Sequence, residues 1–414
     1  QRPQRALRAR HWRGVRQPHT GEGLVAFLQQ SHQLIAAREE PDPDEHQHLL
    51  ETLQEILEWR PDLWYAWSTV IHQMAGLGRL EEAESLVRIA LHRFPLVGKL
   101  WLDYAQVCQG LHKSEERLEA LRRAFMLAPG WPMAAQALTE ALAEQGEHEE
   151  AVTIWKLAVP RNPLEGAVHG MLANCLWEAG RAEEALQRVQ LALQHDPDYD
   201  WAWNVLQVWS ERLDQPEIPI QFARELTRLR SGNPEVWLRL ARLLTHPQHH
   251  AEALEALDRA LVLDPYRVEA YDLKAERLAE MGRYEEALAA AQPPLLAGNL
   301  PLVLQGRVAW IEARRGNYAA AIPPMQALVA IEPTYVWGWY QLAEWYSATG
   351  QNEHYLEAAG ELVRLQPGHP MHLAMRGEAR LKTGDRDGGK EDLREALRIA
   401  PGYSYAASLL FDAC

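Results

Sequence analysis

Apolar residues recur along this chain at the three- and four-residue spacing of amphipathic helices, as Leu254, Leu257 and Leu261 illustrate. Prolines interrupt this pattern at nine of eleven positions spaced 34 residues apart, namely 61, 95, 129, 163, 197, 265, 333, 367 and 401. Because proline lacks a backbone N–H group, it cannot continue a helix. The pattern therefore predicts a helical unit that repeats every 34 residues.

Other residue types keep the same phase. With this proline at position 32 and the first full unit at 64–97, glycine occupies position 15 in seven units, and alanine or glycine occupies position 8 in seven. Alanine occupies positions 20 and 27 in six units each. Glycine tolerates the left-handed backbone that ends a helix, and small residues let two helices approach closely. Each unit is therefore predicted to be a helix A, a turn and a helix B.

These marks resemble the tetratricopeptide repeat family, whose units carry tryptophan at position 4, alanine at 20 and 27, and proline at 32. The unit at 234–267 matches most of the pattern, with Trp237, Leu240, Ala241, Ala253, Ala260 and Pro265. The resemblance implies an all-α fold, a right-handed superhelical solenoid of antiparallel helix pairs. It also implies that the consensus tryptophans at 67, 101, 203, 237 and 339 lie in the core.

The phase divides the chain into four segments. Ten tetratricopeptide-like repeats are expected at 64–403, preceded by a degenerate helix pair at 22–63. Residues 404–414 read as the first helix of a further repeat or as a C-terminal cap. Residues 1–21 form a basic tail or linker. Since the chain starts at Gln1 and its last helix would expose an apolar face, we expect a longer natural protein.

The net charge of −15 suggests a basic partner, but the repeat explains much of it. Glu-Glu pairs occupy positions 18 and 19 in five units, where they complement the dipole of helix B. Residues 1–16 hold six arginines and no acid, which favours a linker or a tail that lies on the acidic repeats. The alternative is an arm that binds nucleic acid or a membrane surface, and no nucleic-acid contact is expected elsewhere in the chain.

Composition narrows the class of protein. No apolar run approaches the length of a membrane span, and three cysteines cannot build a disulfide framework. We therefore expect a cytoplasmic protein. Six lysines accompany 36 arginines, a bias typical of G+C-rich bacterial genes.

The chain lacks the common signatures of catalysis. It contains no phosphate-binding glycine loop, no HExxH and no GxSxG. His246, His249 and His250 cluster near a turn, but no cysteine or carboxylate pattern completes a metal site. No enzyme activity, metal or cofactor is therefore predicted.

In proteins that resemble this one, the A helices line a concave groove through positions 2, 5, 6, 9, 12 and 13. Two groups of aromatic and basic side chains fall at these positions, with an acidic stretch (Glu269, Asp272, Glu276 and Glu280) between them. The first group contains Trp177, Trp201, Asn204, Arg212, Arg239 and Arg242, and the second contains Arg307, Trp310, Arg314, Trp337 and Tyr340. Tryptophan and arginine dominate binding hot spots, so these residues are the predicted partner-binding site. Trp201 and Trp337 share tryptophan at position 10 of their units (Trp209, Trp345), so a duplicated packing variant is an alternative interpretation.

The predicted function is that of a non-catalytic protein–protein interaction scaffold that binds a peptide or protein segment in the groove. The alternative is a sensor or regulatory arm of a larger enzyme, with the effector domain attached or associated. One irregularity is structural: Pro293-Pro294 and Pro323-Pro324 fall within expected B helices, which predicts a kink or shortened helices between 290 and 326.

Overall fold

The computed structural model describes residues 60–413, and before them residues 47, 50, 51, 53–55, 57 and 58, which are helical. The expectations for the tail at 1–21 and for most of the pair at 22–63 lie outside the described residues. The chain divides into two compact units, Gln1–Pro216 and Glu217–Cys414.

The described part of the first unit is a row of helices that alternate between A and B, with A helices numbered odd and B helices even from residue 64 onward. They are α1 (Trp64–Gly76), α2 (Leu80–Arg93), α3 (Gly98–Gly110), α4 (Ser114–Leu127), α5 (Pro132–Glu144), α6 (His148–Ala158), α7 (Gly166–Glu178), α8 (Ala182–His195) and α9 (Asp200–Arg212). From α1 to α8 each A helix contacts the B helix that follows it, and each B helix of this unit contacts the next A helix. Successive A helices also meet, as α5 does with α7.

The second unit continues the alternation from a B helix. Its helices are α10 (Ile218–Leu229), α11 (Pro234–Leu243), α12 (His250–Leu263), α13 (Val268–Glu280), α14 (Tyr284–Ala291), α15 (Leu302–Arg314), α16 (Tyr318–Ile331), α17 (Val336–Ala348), α18 (Asn352–Leu365), α19 (Pro370–Thr383), α20 (Arg386–Ile399) and α21 (Ser404–Ala413). Neighbouring helices contact one another in the same order. No strand occurs in the described part of the chain, and the predicted all-α solenoid of helix pairs is confirmed.

The turn between helices A and B uses left-handed backbone at position 15. All seven glycines there have positive φ, between 72° and 96°. His112 (φ 57°) and Asp214 (φ 58°) take the same conformation at the same position of their units. The geometry of the turn is thus kept where glycine is replaced.

In five repeats, a tryptophan at position 4 joins the repeat to the end of the preceding one. The Nε1–H groups of the consensus tryptophans each donate a hydrogen bond to the carbonyl six residues earlier, at 2.9–3.0 Å, in Trp67, Trp101, Trp203, Trp237 and Trp339. That carbonyl belongs to position 32, at which helix B has already ended and the backbone has no helical partner. Trp67 and Trp203 are buried as predicted, whereas the other three are half-buried.

The two proline pairs behave differently. Helix α14 ends at Ala291 and a short 3-10 turn follows at Pro294–Leu296, so the predicted shortening is confirmed there. Pro323 and Pro324 instead lie inside α16, which continues to Ile331, so the helix is not shortened at this pair, and the alternative of a kink stays a prediction. Burial of Ala321, Met325 and Leu328 along α16 offsets the lost backbone hydrogen bonds.

Candidate functional site

The first unit brings four aromatic side chains together on its last A helices. The indole rings of Trp177 (α7) and Trp209 (α9) stack with their centroids 4.5 Å apart and their planes 2° from parallel. Trp201 meets Trp209 edge-on at 6.3 Å and 88°, and Tyr199 stacks on Trp201 at 5.5 Å. We call Trp177, Tyr199, Trp201 and Trp209 the tryptophan cluster. Its stacked indole rings join two successive A helices.

The cluster packs closely against α7 at Gly170 and leaves Trp201 partly exposed to solvent. A Cβ atom on Gly170 would lie 2.9 Å from the Tyr199 ring and 3.1 Å from the Trp201 ring, so only glycine lets these rings approach α7. Trp209 is buried, but Trp201 keeps 37% of its surface exposed. Asn204 and Arg212, on the same helix as Trp201, are exposed.

In the second unit, Arg239 and Arg242 face carboxylates of their own chain. Glu235 is nearly buried and lies 3.6 Å from the Arg239 guanidinium and 3.3 Å from that of Arg242. Arg242 also donates from Nε to Glu269 at 2.7 Å. Both guanidinium groups, predicted from sequence as partner-binding, are thus engaged within the fold.

Arg307 is the centre of the second group. It donates two hydrogen bonds to Asp272, at 2.7 and 2.9 Å, and its side chain is only 11% exposed. Its guanidinium carbon lies 4.8 Å from the Trp310 ring centroid and 5.7 Å from that of Trp337. Burial by itself lowers the pKa of Arg307, but the hydrogen bonds and charge of Asp272 raise that pKa above its usual value. Arg307 therefore stays charged and fixed between its acid and the two rings.

Arg314 and Tyr340 complete this group. The Arg314 guanidinium lies 5.5 Å from the Trp310 ring centroid, and its side chain is exposed. The Tyr340 hydroxyl donates to Glu344 at 2.7 Å, and burial together with this hydrogen bond raises the pKa of Tyr340 to about 12. We call Arg307, Trp310, Arg314 and Trp337 the arginine–tryptophan stack.

The two groups share one packing arrangement. The set of Gly170, Tyr199, Trp201 and Trp209 recurs four repeats later as Gly306, Tyr335, Trp337 and Trp345. A Cβ atom on Gly306 would lie 2.9 Å from the Tyr335 hydroxyl and 3.2 Å from the Trp337 ring, which repeats the contacts at Gly170. The duplicated packing variant considered from sequence is present, and it leaves part of each position-2 tryptophan at the surface.

The acidic stretch does not merely separate the two groups. Glu269 pairs with Arg242 and Asp272 with Arg307, so the acids of α13 neutralise arginines of the neighbouring A helices α11 and α15. Sequence reasoning missed these pairs. For Asp272 and Arg307 the sequence contained a signal, since an acid at position 5 of one repeat faces a base at position 6 of the next.

Of the three histidines near residue 250, His250 lines a cavity. His250 lies 3.4 Å from Glu280, and Thr245, Pro247 and Met281 complete the cavity wall. Among the described residues, no group of three or more histidine, cysteine or acidic side chains is arranged to hold a metal ion. In the same part of the chain, no helix has both the length and the apolar character of a membrane span.

Comparison with known proteins agrees with the repeat pattern. A family model described as "Tetratricopeptide repeat" matches residues 138–200. "TPR repeat-containing protein YpiA" of Bacillus subtilis (strain 168) is 27% identical over 241 residues, which are 55% of this chain and 54% of that protein. "Tetratricopeptide repeat protein 33" of Xenopus laevis is 26% identical over 140 residues, 33% of this chain and 54% of the relative. The chain thus spans about half the length of the curated relatives it matches.

Among solved structures, the yeast Tom70 crystal structure is 12% identical with a TM-score of 0.48, over 95% of this chain and 96% of that one. The family model covers about two repeats, and the same period continues in unbroken phase through the helix pairs on either side. Residues 138–200 thus match the tetratricopeptide repeat family, and the rest of the repeat array is similar to it in period and in helix pairing.

Proposed function

We propose that this chain is a non-catalytic protein–protein interaction scaffold that binds a peptide or a protein segment along the groove formed by its A helices. The proposal rests on the exposure of Trp201. Trp201 keeps 37% of its surface exposed, whereas Trp203, two residues away at the consensus position, is 98% buried. The fold needs Trp203 for its core, and it leaves Trp201 available to a partner.

The tryptophan cluster supports binding by preorganisation. Trp177 and Trp209 are stacked, and Trp201 rests edge-on against Trp209 above Gly170. Rings held in this way lose little conformational entropy when a ligand covers them. We assign the apolar contact to Trp177 and Trp201, and hydrogen bonding at its edge to Asn204 and Arg212.

The arginine–tryptophan stack offers a second contact surface with a division of roles. Arg307 is held by Asp272 and acts by positioning Trp310 and Trp337 rather than by reaching a ligand. We assign contact with a partner to the exposed Arg314 and to the ring of Tyr340, whose hydroxyl is already bonded to Glu344. Arg239 and Arg242 would meet a ligand carboxylate only in exchange for Glu235 and Glu269.

The scaffold proposal includes a cytoplasmic location. It rests on the scarcity of cysteine, with Cys108 buried and Cys175 half-buried as free thiols. Burial raises the pKa of Cys175 to about 11, so this thiol stays protonated and unreactive near neutral pH.

Affinity capture from a lysate of the native organism tests the proposal. One variant replaces Trp177 and Trp201 with alanine, and a second replaces Trp310 and Arg314. Trp64→Ala is the matched control, because Trp64 is also 37% exposed but lies outside both clusters.

A protein retained by the wild type and by Trp64→Ala, but lost by either cluster variant, supports the groove as the binding site. If both cluster variants retain every protein that the wild type retains, the A-helix surfaces are not the site and the proposal fails. Circular dichroism of each variant verifies that the helix content is unchanged.

A further inference from the structure

The A-helix surface of α5, α7 and α9 in the first unit has an apolar centre. Met133 is 57% exposed, and Trp201 and Val208 are 37% exposed each. Met171 and Trp177 are half-buried on the same helices. Methionine and tryptophan together give a surface that adapts to bulky apolar side chains.

The charged side chains of this surface are almost all acidic. At the groove positions of the three helices, four glutamates (Glu140, Glu144, Glu178 and Glu211) accompany a single base, Arg212. All four glutamates are exposed. In the described part of the chain Glu144 pairs with Arg117, whereas Glu178 and Glu211 form no ion pair. We call this surface, with its apolar centre and these glutamates, the acid-rimmed face.

Three of these glutamates lie at the C-terminal ends of helices, where negative charge is unfavourable. Glu144 and Glu178 are the last residues of α5 and α7, and Glu211 is the next-to-last residue of α9. The carbonyl ends of a helix carry partial negative charge and favour cations, so these glutamates oppose the helix dipole. Local choices that conflict with the fold are typical of sites kept for binding. Carboxylates and helix ends together concentrate negative potential beside the apolar centre.

We propose that the acid-rimmed face binds a protein segment that presents bulky apolar side chains flanked by lysine or arginine. This rests on the proposed scaffold function and specifies the partner of its first unit. The apolar residues of the segment cover Trp201 and Met133, and its cations pair with Glu178 and Glu211. The neutralised glutamates then no longer oppose the dipoles of their helices.

The duplicated packing provides an internal comparison. The second copy keeps the glycine, tyrosine and tryptophan contacts, but Arg314 stands at the position equivalent to Glu178, and Arg307 at that of Met171. Because Asp272 neutralises Arg307, the exposed Arg314 is the charge that repels a basic segment there. The same ring geometry therefore distinguishes ligands by charge, and the basic segment is specific for the first unit.

The test measures fluorescence anisotropy of three labelled peptides with the full chain at physiological salt, where distant charges are screened. The first peptide repeats leucine pairs and arginine pairs over fourteen residues. The second replaces each arginine with glutamate, and the third replaces each leucine with serine. We expect the leucine–arginine peptide to bind at least tenfold more tightly than either of the others.

Matched variants separate the face from the general charge of the protein. Trp201→Ala weakens binding of the leucine–arginine peptide at least tenfold, whereas Trp64→Ala, at an equally exposed tryptophan outside both clusters, leaves it within twofold. Glu178→Lys with Glu211→Lys also weakens it at least tenfold. Glu119→Lys with Glu183→Lys makes the same change in net charge on the B helices, where both residues are exposed, and has a much smaller effect.

Three results overturn the proposal. Equal losses from the two charge-reversal pairs would show attraction to net charge alone. Preferential binding of the leucine–glutamate peptide, lost on Trp201→Ala, would refute the basic partner and leave the scaffold function standing. If Trp201→Ala and Trp337→Ala change the affinity for none of the peptides, both this inference and the groove site fail.

Discussion

Replacing Trp203 with phenylalanine tests how one repeat is joined to the next. Trp203 is 2% exposed and donates its Nε1–H to the Pro197 carbonyl at 2.9 Å. Phenylalanine keeps an aromatic ring in α9 but removes the donor and part of the volume. The Pro197 carbonyl, on a buried residue, is then left without this partner.

The magnitude follows from burial. An unpaired buried acceptor costs about 1–3 kcal/mol, and the smaller ring adds about 1 kcal/mol of lost apolar burial. The total of about 2–4 kcal/mol corresponds to at least a thirtyfold increase in the opening equilibrium.

Hydrogen exchange followed by mass spectrometry measures this opening locally, in peptides from α8 and α9. The matched control is Trp101→Phe. Trp101 makes the same bond to Pro95 at 2.9 Å, but Pro95 is exposed and water replaces the lost donor. We expect a cost of about 1 kcal/mol or less there. Equal effects of the two substitutions would refute the argument from burial.

Three further substitutions test separate features of the fold. Gly306→Ala brings a Cβ atom within 2.9 Å of the Tyr335 hydroxyl and lowers the urea midpoint, at a cost of about 1–3 kcal/mol, whereas Gly360→Ala, with no neighbour within 4 Å, raises it. Burial lowers the pKa of His372 from 6.5 to about 4, so the unfolded chain takes up a proton first, and the stability present above pH 6.5 falls as the pH drops toward 4. His372→Phe makes the urea midpoint less sensitive to this change of pH. Pro324→Ala restores a backbone N–H donor inside α16 and raises the free energy of unfolding by up to about 3 kcal/mol, which is measured as a higher melting temperature.

Each of these expectations has a contrary result. A stabilising Gly306→Ala would mean that the Tyr335 ring moves aside without cost. An unchanged pH dependence in His372→Phe would assign the acid sensitivity to other groups. A destabilising Pro324→Ala would show that the proline ring packs better in α16 than a restored hydrogen bond does.

The sequence predicts the repeat, because proline and glycine act through local backbone geometry that needs no knowledge of neighbours. The glycine turns and the shortening of α14 at Pro293 follow from this. The uninterrupted helix at Pro323 and Pro324 does not follow from local geometry, because burial against other helices stabilises α16 there. His112 and Asp214 take the same left-handed turn, which histidine and aspartate adopt more readily than most residues other than glycine.

The candidate site could be predicted only in part. Position within the repeat correctly places Trp201 near the surface and Trp203 in the core. It does not show which charges meet, since Asp272 and Arg307 are 35 residues apart and either could have faced solvent. Long charged side chains pair across adjacent helices according to their distances in three dimensions, and the repeat pattern in the sequence does not contain those distances.

Site-specific photocrosslinking most directly tests whether a protein partner binds at the A-helix surface. A benzoylphenylalanine replaces Asn204 on the A-helix surface of α9 or, for comparison, Gln187 on the B helix α8, both exposed polar residues. Irradiation in the native organism then joins any bound protein to the probe. We expect a crosslinked partner from position 204 and none from position 187. Crosslinking from position 187 alone would exclude the A-helix surface as the binding site.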